Sequence, residues 1–351
     1  MEKQATIRDV AALAGVSTAT VSRALHDADY PMNPQLRQRV RNAADQLGYV
    51  PNLAAQSLRR ASSRDIGLVL PNVSNPFYLQ TLSGISDALA QSDCNLILCN
   101  TMRNVEQERL CLRQLYERQV KGVILSSLEV NAKNIRQYTE KGIKFVLLDQ
   151  QFADSPSPGI HFDSRAGARM AMDYLLSMGH RQIAFATTPL NRWTRNQMYL
   201  GYRDALASRN IPWDDKMLYE DRTEQTDDSA DPELQIGQHI AAAFLQDGCP
   251  ATAILCVNDM VAIGVMSYLQ KMGVRVPEDV SVMGFDDIPL APIVSPALTT
   301  VRYPASDTGR LAAIMLTDML QNPESEMTVS MGLTPQLVLR ESVRRRNTDQ
   351  I

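Results

Sequence analysis

From Asp65 onward the chain alternates short apolar, β-rich runs with longer amphipathic stretches, and this alternation constrains the fold more than any other feature. Ile66–Leu70, Leu96–Cys99, Gly122–Ser126 and Phe145–Asp149 read as strands, and the pattern resumes with Ile183–Thr187, Ala253–Val257 and Val280–Phe285. Regular strand–helix alternation predicts parallel sheets with helices on both faces. Ligands in such α/β folds bind beyond the carboxyl ends of the strands, so the loops after these runs are where a small-molecule site is to be sought.

The first 64 residues differ in kind. Net charge over the 351 residues is −4, yet residues 1–64 carry nine Lys/Arg against five Asp/Glu, and the remainder 26 against 34. A basic head on an acidic body suits a head that meets phosphates and a body that does not. Thr6, with Asp9 three positions later, is a variant capping box. Ile7, Val10, Ala11 and Ala14 then recur at helical spacing, and Gly15 ends the helix. Ser17 caps a second helix, Thr18 to Leu25, and the pair forms a helix-turn-helix unit. Val21, Ala24 and Leu25 should pack on the first helix. Thr18, Ala19, Ser22 and Arg23 face away, which fits either a major-groove reader or a plain solvated surface. In the first case Arg23 could fork onto guanine, while Ala19 could touch only a thymine methyl. Asn33-Pro34 opens a third helix, with Leu36, Val40, Ala43, Ala44 and Leu47 inward and Arg37, Arg39 and Arg41 outward as candidate phosphate contacts.

Other classes find little support. Apolar residues make up 44% and charged residues 21%, a balance for packed domains and against wholesale disorder. No apolar run approaches the roughly 18 residues of a membrane span, and the polar start, Met1 to Thr6, is unlike an export signal. A cytoplasmic location without membrane association is therefore expected. Cys94, Cys99, Cys111, Cys249 and Cys256 are odd in number and lack CxxC pairing, as reduced thiols would be. His26, His161, His180 and His239 show no ligand spacing, and no nucleophile-elbow, phosphate-loop or zinc-protease motif occurs. Neither a cofactor nor an enzyme is expected.

Three runs in the head carry a resemblance: Thr6-Ile7-Arg8-Asp9-Val10-Ala11, Gly15-Val16-Ser17-Thr18-Ala19-Thr20-Val21-Ser22-Arg23-Ala24-Leu25, and Gly48-Tyr49-Val50-Pro51-Asn52-Leu53-Ala54-Ala55. In order and spacing they resemble the DNA-binding signature of the lactose/galactose/purine repressor family of bacterial transcription regulators. The resemblance extends through Asn72 to Tyr78, Asp173 to Ile183, Val257 to Gly264, and Gly284-Phe285-Asp286-Asp287 followed by Ser295 to Val301. It implies an all-α helix-turn-helix head on a two-lobed α/β body of the type I periplasmic-binding-protein kind. The expected boundaries are a head at 1–49, a hinge helix and linker at 50–64, a body at 65–343 and a tail at 344–351. Within the body, the N-lobe is expected at about 65–162 and 295–324 and the C-lobe at about 163–294 and 325–343.

The resemblance also implies site residues. Thr6, Ser17, Thr18, Ala19, Thr20, Ser22 and Arg23 would meet the DNA major groove and backbone, with Asn52, Ala55, Leu58 and Arg59 in the hinge. Leu58 would wedge a minor-groove base step, and a helix that short is marginal until DNA supports it. In the body, Phe77, Tyr78, Asp149, Arg192, Trp193, Thr194 and Asp259 would face an effector. For Asp259 the alternative is a helix N-terminal cap, and for Phe77 and Tyr78 it is core packing. The family arginine three residues before Gly201 is replaced by Met198, which puts pocket chemistry in question. The implied protein is a homodimeric repressor that binds a near-palindromic operator in double-stranded DNA and responds to a sugar-type metabolite. A phosphorylated protein corepressor is the alternative signal, and a sugar-binding or sugar-processing protein without a DNA role is a remote one. The tail from Arg340 shows no apolar heptad, so nothing beyond a dimer is expected.

Overall fold

A computed structural model describes residues 5–26, 30–49, 65–90, 92, 94–152, 157–222, 232–322 and 330–346. The chain divides into two compact units, residues 1–63 and 64–351. In the first, α1 (Ile7–Ala14), α2 (Thr18–His26) and α3 (Pro34–Gln46) close a small core around Val10, Ala14, Val21, Ala24, Val40 and Ala44. Local chemistry sets each start. The Asp9 carboxylate accepts from the Thr6 N–H at 2.8 Å and the Thr6 hydroxyl at 2.7 Å, Ser17 Oγ accepts from the Thr20 N–H at 3.1 Å, and Asn33 Oδ1 accepts from the Gln35 N–H at 2.8 Å. Gly15 ends α1 in the left-handed region at φ 62°. Leu47, expected inward, is exposed because α3 stops one residue before it. The hinge residues Asn52, Ala55, Leu58 and Arg59 lie outside the described residues.

The body contains two six-stranded sheets. The first uses β1 (Asp65–Leu70), β2 (Asn95–Asn100), β3 (Gly122–Leu125), β4 (Lys144–Leu148), β5 (Gly159–Phe162) and β11 (Ser330–Leu333), in the order β11-β5-β4-β3-β1-β2, with every pairing parallel. The second uses β6 (Ile183–Thr187), β7 (Leu218–Glu220), β8 (Ala253–Cys256), β9 (Ser281–Asp286), β10 (Thr299–Arg302) and β12 (Gln336–Val338), in the order β12-β10-β9-β8-β6-β7. Here β12 runs antiparallel to β10, an exception to the all-parallel expectation.

Period-two alternation explains why both faces of the first sheet are covered. Ile66, Leu68, Leu70, Ile124, Val146 and Leu148 point to one side, beneath α4 (Pro76–Leu89) and α11 (Ala305–Gln321). Val69, Val123, Leu125, Phe145 and Leu147 point to the other, beneath α5 (Val105–Glu117) and α6 (Lys133–Thr139). In the second lobe α7 (Ser164–Ser177) packs on α8 (Trp193–Ser208), and α9 (Pro232–Gln246) packs on α10 (Asp259–Lys271).

The lobe boundaries differ from the expected ones at two of the three crossings. The first lies at Asp163, between β5 and α7. The second falls between β10 and α11, near Tyr303, not at 294, because β10 pairs with β9 and so belongs to the C-lobe. The third falls between β11 and β12, after Leu333, not at 325, because β11 completes the N-lobe sheet beside β5. Strands β5, β7, β10, β11 and β12 are each three or four residues long, too short to show periodicity in sequence.

Helices α4 and α11 touch backbone to backbone: a Cβ on Gly84 would overlap the Ser306 carbonyl, and one on Gly309 would overlap the Thr81 carbonyl. Gly309→Ala should force these helices apart and cost about 1–3 kcal/mol. Urea unfolding followed by circular dichroism would read this as a lowered midpoint, and an unchanged midpoint would contradict the close packing.

Candidate functional site

Strand order reverses between β1 and β3 in the first sheet and between β6 and β8 in the second. At such a switch point adjacent loops leave in opposite directions and open a crevice at the carboxyl edge. The loops beyond β1, β3, β6 and β8 supply Asn75, Ser126, Arg192 and Asn258, and all four line one cleft. The ends of β4 and β9 add Asp149 and Asp286, and the crossing after β10 adds Tyr303. Both aspartates have left-handed backbone, φ 52° and 119°. Such strain is held by surrounding structure and concentrates at ligand sites. Asp287 supplies the hold beside Asp286, pairing with Arg302 at 2.7 Å and Arg340 at 2.6 Å.

Glu233, in the first turn of α9, is buried at the join of the lobes. It accepts from Asn75 Nδ2 at 2.5 Å and pairs with Arg103 at 2.9 Å, both from the N-lobe, and accepts from Asn258 Nδ2 at 3.2 Å within the C-lobe. A buried carboxylate needs this degree of compensation. Asp149 accepts from the Tyr303 hydroxyl at 2.6 Å and the Phe162 N–H at 3.1 Å. Burial nevertheless pushes its pKa up to about 6. Burial, with the neighbouring Asp259 carboxylate, also lifts Asp286 well above the usual carboxylate range. Arg195 is held below its ordinary value by burial and by the nearby guanidinium groups of Arg192 and Arg103. Phe77, Phe285 and Tyr303 line the cleft: Phe77 meets Tyr303 edge-on at 4.8 Å, and Phe285 packs edge-on against Phe162 at 5.6 Å.

Residues 6–52 match the profile described as bacterial regulatory proteins, lacI family, and residues 172–343 match a periplasmic binding protein-like domain. The chain is 34% identical to the HTH-type transcriptional regulator RegA of Clostridium saccharobutylicum over 339 residues, 96% of this chain and 98% of that protein. The chain belongs to the LacI family. Among solved structures, a LacI family regulator from Enterococcus faecium with bound ribose superposes with a TM-score of 0.71 at 29% identity, covering 81% of this chain and all of that one. The lac repressor dimer bound to operator and an anti-inducer superposes with a TM-score of 0.80 at 26% identity, covering 97% of this chain and all of that one.

Of the effector residues expected in a LacI-family body, Phe77, Tyr78, Asp149, Arg192 and Thr194 line the cleft; Trp193 and Asp259 do not. Asp259 is fully buried inside the C-lobe, where it accepts from the Ile288 N–H at 2.9 Å and from Thr300 Oγ1 at 2.6 Å. Its carboxylate braces the loop beyond β9 and does not face the cleft. The preceding Asn258 lines the cleft and also caps α10, accepting from the Val261 N–H at 2.8 Å. Met198 does line the cleft, and Arg195, one helical turn earlier on the same face of α8, lines it too. This helix therefore still places a guanidinium in the cleft, from 195 and not from 198. Arg195, Glu233, Asn258, Asp286 and Tyr303 were not singled out from sequence as effector residues. In the head, Thr18, Ala19 and Arg23 are exposed, and Arg23 lies 5.0 Å from the Tyr30 ring centroid. Thr6 and Ser17 are also exposed, while Thr20 and Ser22 are half-buried. The hydroxyls of Thr6, Ser17 and Thr20 are engaged in cap contacts. Arg39 and Arg41 are exposed, whereas Arg37 donates to the Tyr30 carbonyl at 2.7 Å.

Burial lifts Asp259 to about 7 from an ordinary value of 3.8. The folded state thus holds its proton more tightly than the unfolded chain does. The stability this contributes is complete below about pH 4 and is lost as pH rises towards 7. Relative to Asp259→Asn, which cannot titrate there, the wild type should lose unfolding free energy steadily across that window and then level off. Denaturant titrations of both proteins at several pH values would check this; a gap that widens in the wild type's favour as pH rises would contradict it.

Proposed function

We propose that this protein is a homodimeric, ligand-responsive transcriptional repressor that binds a near-palindromic operator in bacterial DNA. Residues 6–52 carry this reading: they match the family's regulatory head, and their second helix exposes Thr18, Ala19 and Arg23 on one face. That face enters the major groove, with Arg23 bidentate on guanine. Arg39, Arg41 and Arg59 meet phosphates, and Leu58 wedges the central minor-groove step from a hinge helix that forms on DNA. The protein works in the cytoplasm, without a catalytic role.

The cleft is the effector site, occupied by a sugar-type metabolite. The ribose in the Enterococcus faecium relative supports a carbohydrate. The guanidinium of Arg195 removes the reason for preferring a phosphorylated protein as the signal, since that alternative drew its weight from the methionine at 198. Polar groups from both lobes meet in the cleft, so a ligand between them changes the lobe arrangement in proportion to its preference for one state.

Selection of bound fragments from a random DNA pool should yield a two-fold related site. Arg23→Ala should then cost about 1–3 kcal/mol at one base pair per half-site and relax the preference there. Fluorescence anisotropy on single-base variants would read this. No sequence preference at moderate salt would overturn the repressor reading, and unchanged discrimination in Arg23→Ala would overturn the groove assignment.

A further inference from the structure

Two of the cleft's guanidinium groups stand outside its ion pairing, and this bears on what fills it. Arg103 is neutralised by Glu233. Arg192 and Arg195 also line the cleft, and neither forms an ion pair among the described residues; Arg195 donates from Nε to Thr188 Oγ1 at a long 3.4 Å. Facing them are Asp149, engaged with Tyr303, and Asp286, which makes no side-chain hydrogen bond among the described residues. The two kinds of group respond differently to burial. A carboxylate in a poorly solvated site sheds its charge by taking up a proton, and Asp286 is pushed in that direction. A guanidinium has no such escape, because it stays protonated at any pH the protein experiences. The two guanidinium groups are therefore permanent charges of the cleft that no carboxylate holds in an ion pair among the described residues.

The helices reinforce them. First-turn or cap residues of α4, α7, α8, α9 and α10, namely Asn75, Ser164, Arg192, Glu233 and Asn258, all line the cleft, so five positive helix ends converge there. Arg192 is the cap of α8 and Arg195 lies in its first turn, where a positive charge is least favoured. A neutral ligand that closed the lobes would desolvate both guanidinium groups without adding an ion-pair partner for either.

The geometry points to an anionic, hydroxyl-bearing effector of monosaccharide size, its acid group seated between Arg192 and Arg195 and its hydroxyls on Asp286, Asn258 and Ser126. This rests on the cleft being the effector site, and it narrows the sugar-type metabolite to a sugar acid or a sugar phosphate. Guanidinium forks suit both carboxylate and phosphate. The carboxyl of Asp286 suits hydroxyls in either protonation state, since it can accept a hydrogen bond in both.

The test uses the full-length protein in calorimetric titrations at fixed ionic strength. D-Galacturonate, D-glucuronate, D-gluconate and D-glucose 6-phosphate are each compared with neutral D-galactose or D-glucose, and every compound is also added to the operator complex. At least one anion should bind ten-fold or more tightly than its neutral counterpart. Binding by the carboxylates alone identifies a sugar acid, and binding by the phosphate alone a sugar phosphate. Arg192→Gln and Arg195→Gln should each weaken that anion ten-fold or more, while Asp286→Asn keeps the preference for it. Equal or tighter binding of the neutral sugar, or no binding by any anion, overturns the inference. If a neutral sugar binds and shifts operator affinity, the effector reading survives and only the anion falls. If no compound changes operator affinity while specific DNA binding persists, the effector reading itself falls.

Discussion

The body depends on two sheets whose strands present their carboxyl ends to a common space. Each sheet reverses its strand order once, and each reversal opens a crevice at the carboxyl edge. The remaining features of the site follow from this arrangement. Helices begin where parallel strands end, so their positive ends gather at the cleft. Backbone held at positive φ aims Asp149 and Asp286 into the same space. The close contact of α4 with α11, and of α9 with α10, fixes those strand ends from behind.

Glu233 joins the two halves. Its bonds to Asn75 and Arg103 on one lobe and Asn258 on the other are buried and charge-assisted, so removing one partner leaves an uncompensated charge. A contact of this kind favours one arrangement of the lobes over others. A ligand in the adjoining space biases the same equilibrium only to the extent that it interacts differently with the two arrangements. The strained strand ends and the convergent helix termini are arranged in advance, so their cost is met during folding.

Much of this was legible in the residues. The β-rich runs from Asp65 gave the parallel sheets, and Thr6, Ser17 and Asn33 marked the starts of the three head helices through their capping chemistry. Four features were not legible. Strands β10 and β11, four residues each, lack periodicity, and the second and third crossings were placed too early in the chain. Asp259 was singled out because the family resemblance puts an effector-binding aspartate at that position; the extended backbone of the cap turns Asn258 outward, and the first helical residue turns into the core. Arg195 was overlooked because its place was sought at a fixed offset from Gly201, whereas a helix presents the same face one turn away. The burial of Glu233 could not be read locally at all. Its N-lobe partners Asn75 and Arg103 lie 158 and 130 residues away in sequence.

The central claim is that the arrangement of the lobes around Glu233 is felt at the DNA. The operator affinity of Glu233→Gln, measured by fluorescence anisotropy without added ligand, tests it most directly. The substitution lies far from the recognition helix in sequence and removes only the charge that ties Asn75 and Arg103 to the C-lobe. A several-fold change in operator affinity, with the salt dependence of binding preserved, is the predicted result. Wild-type affinity in a fully folded Glu233→Gln protein would contradict it.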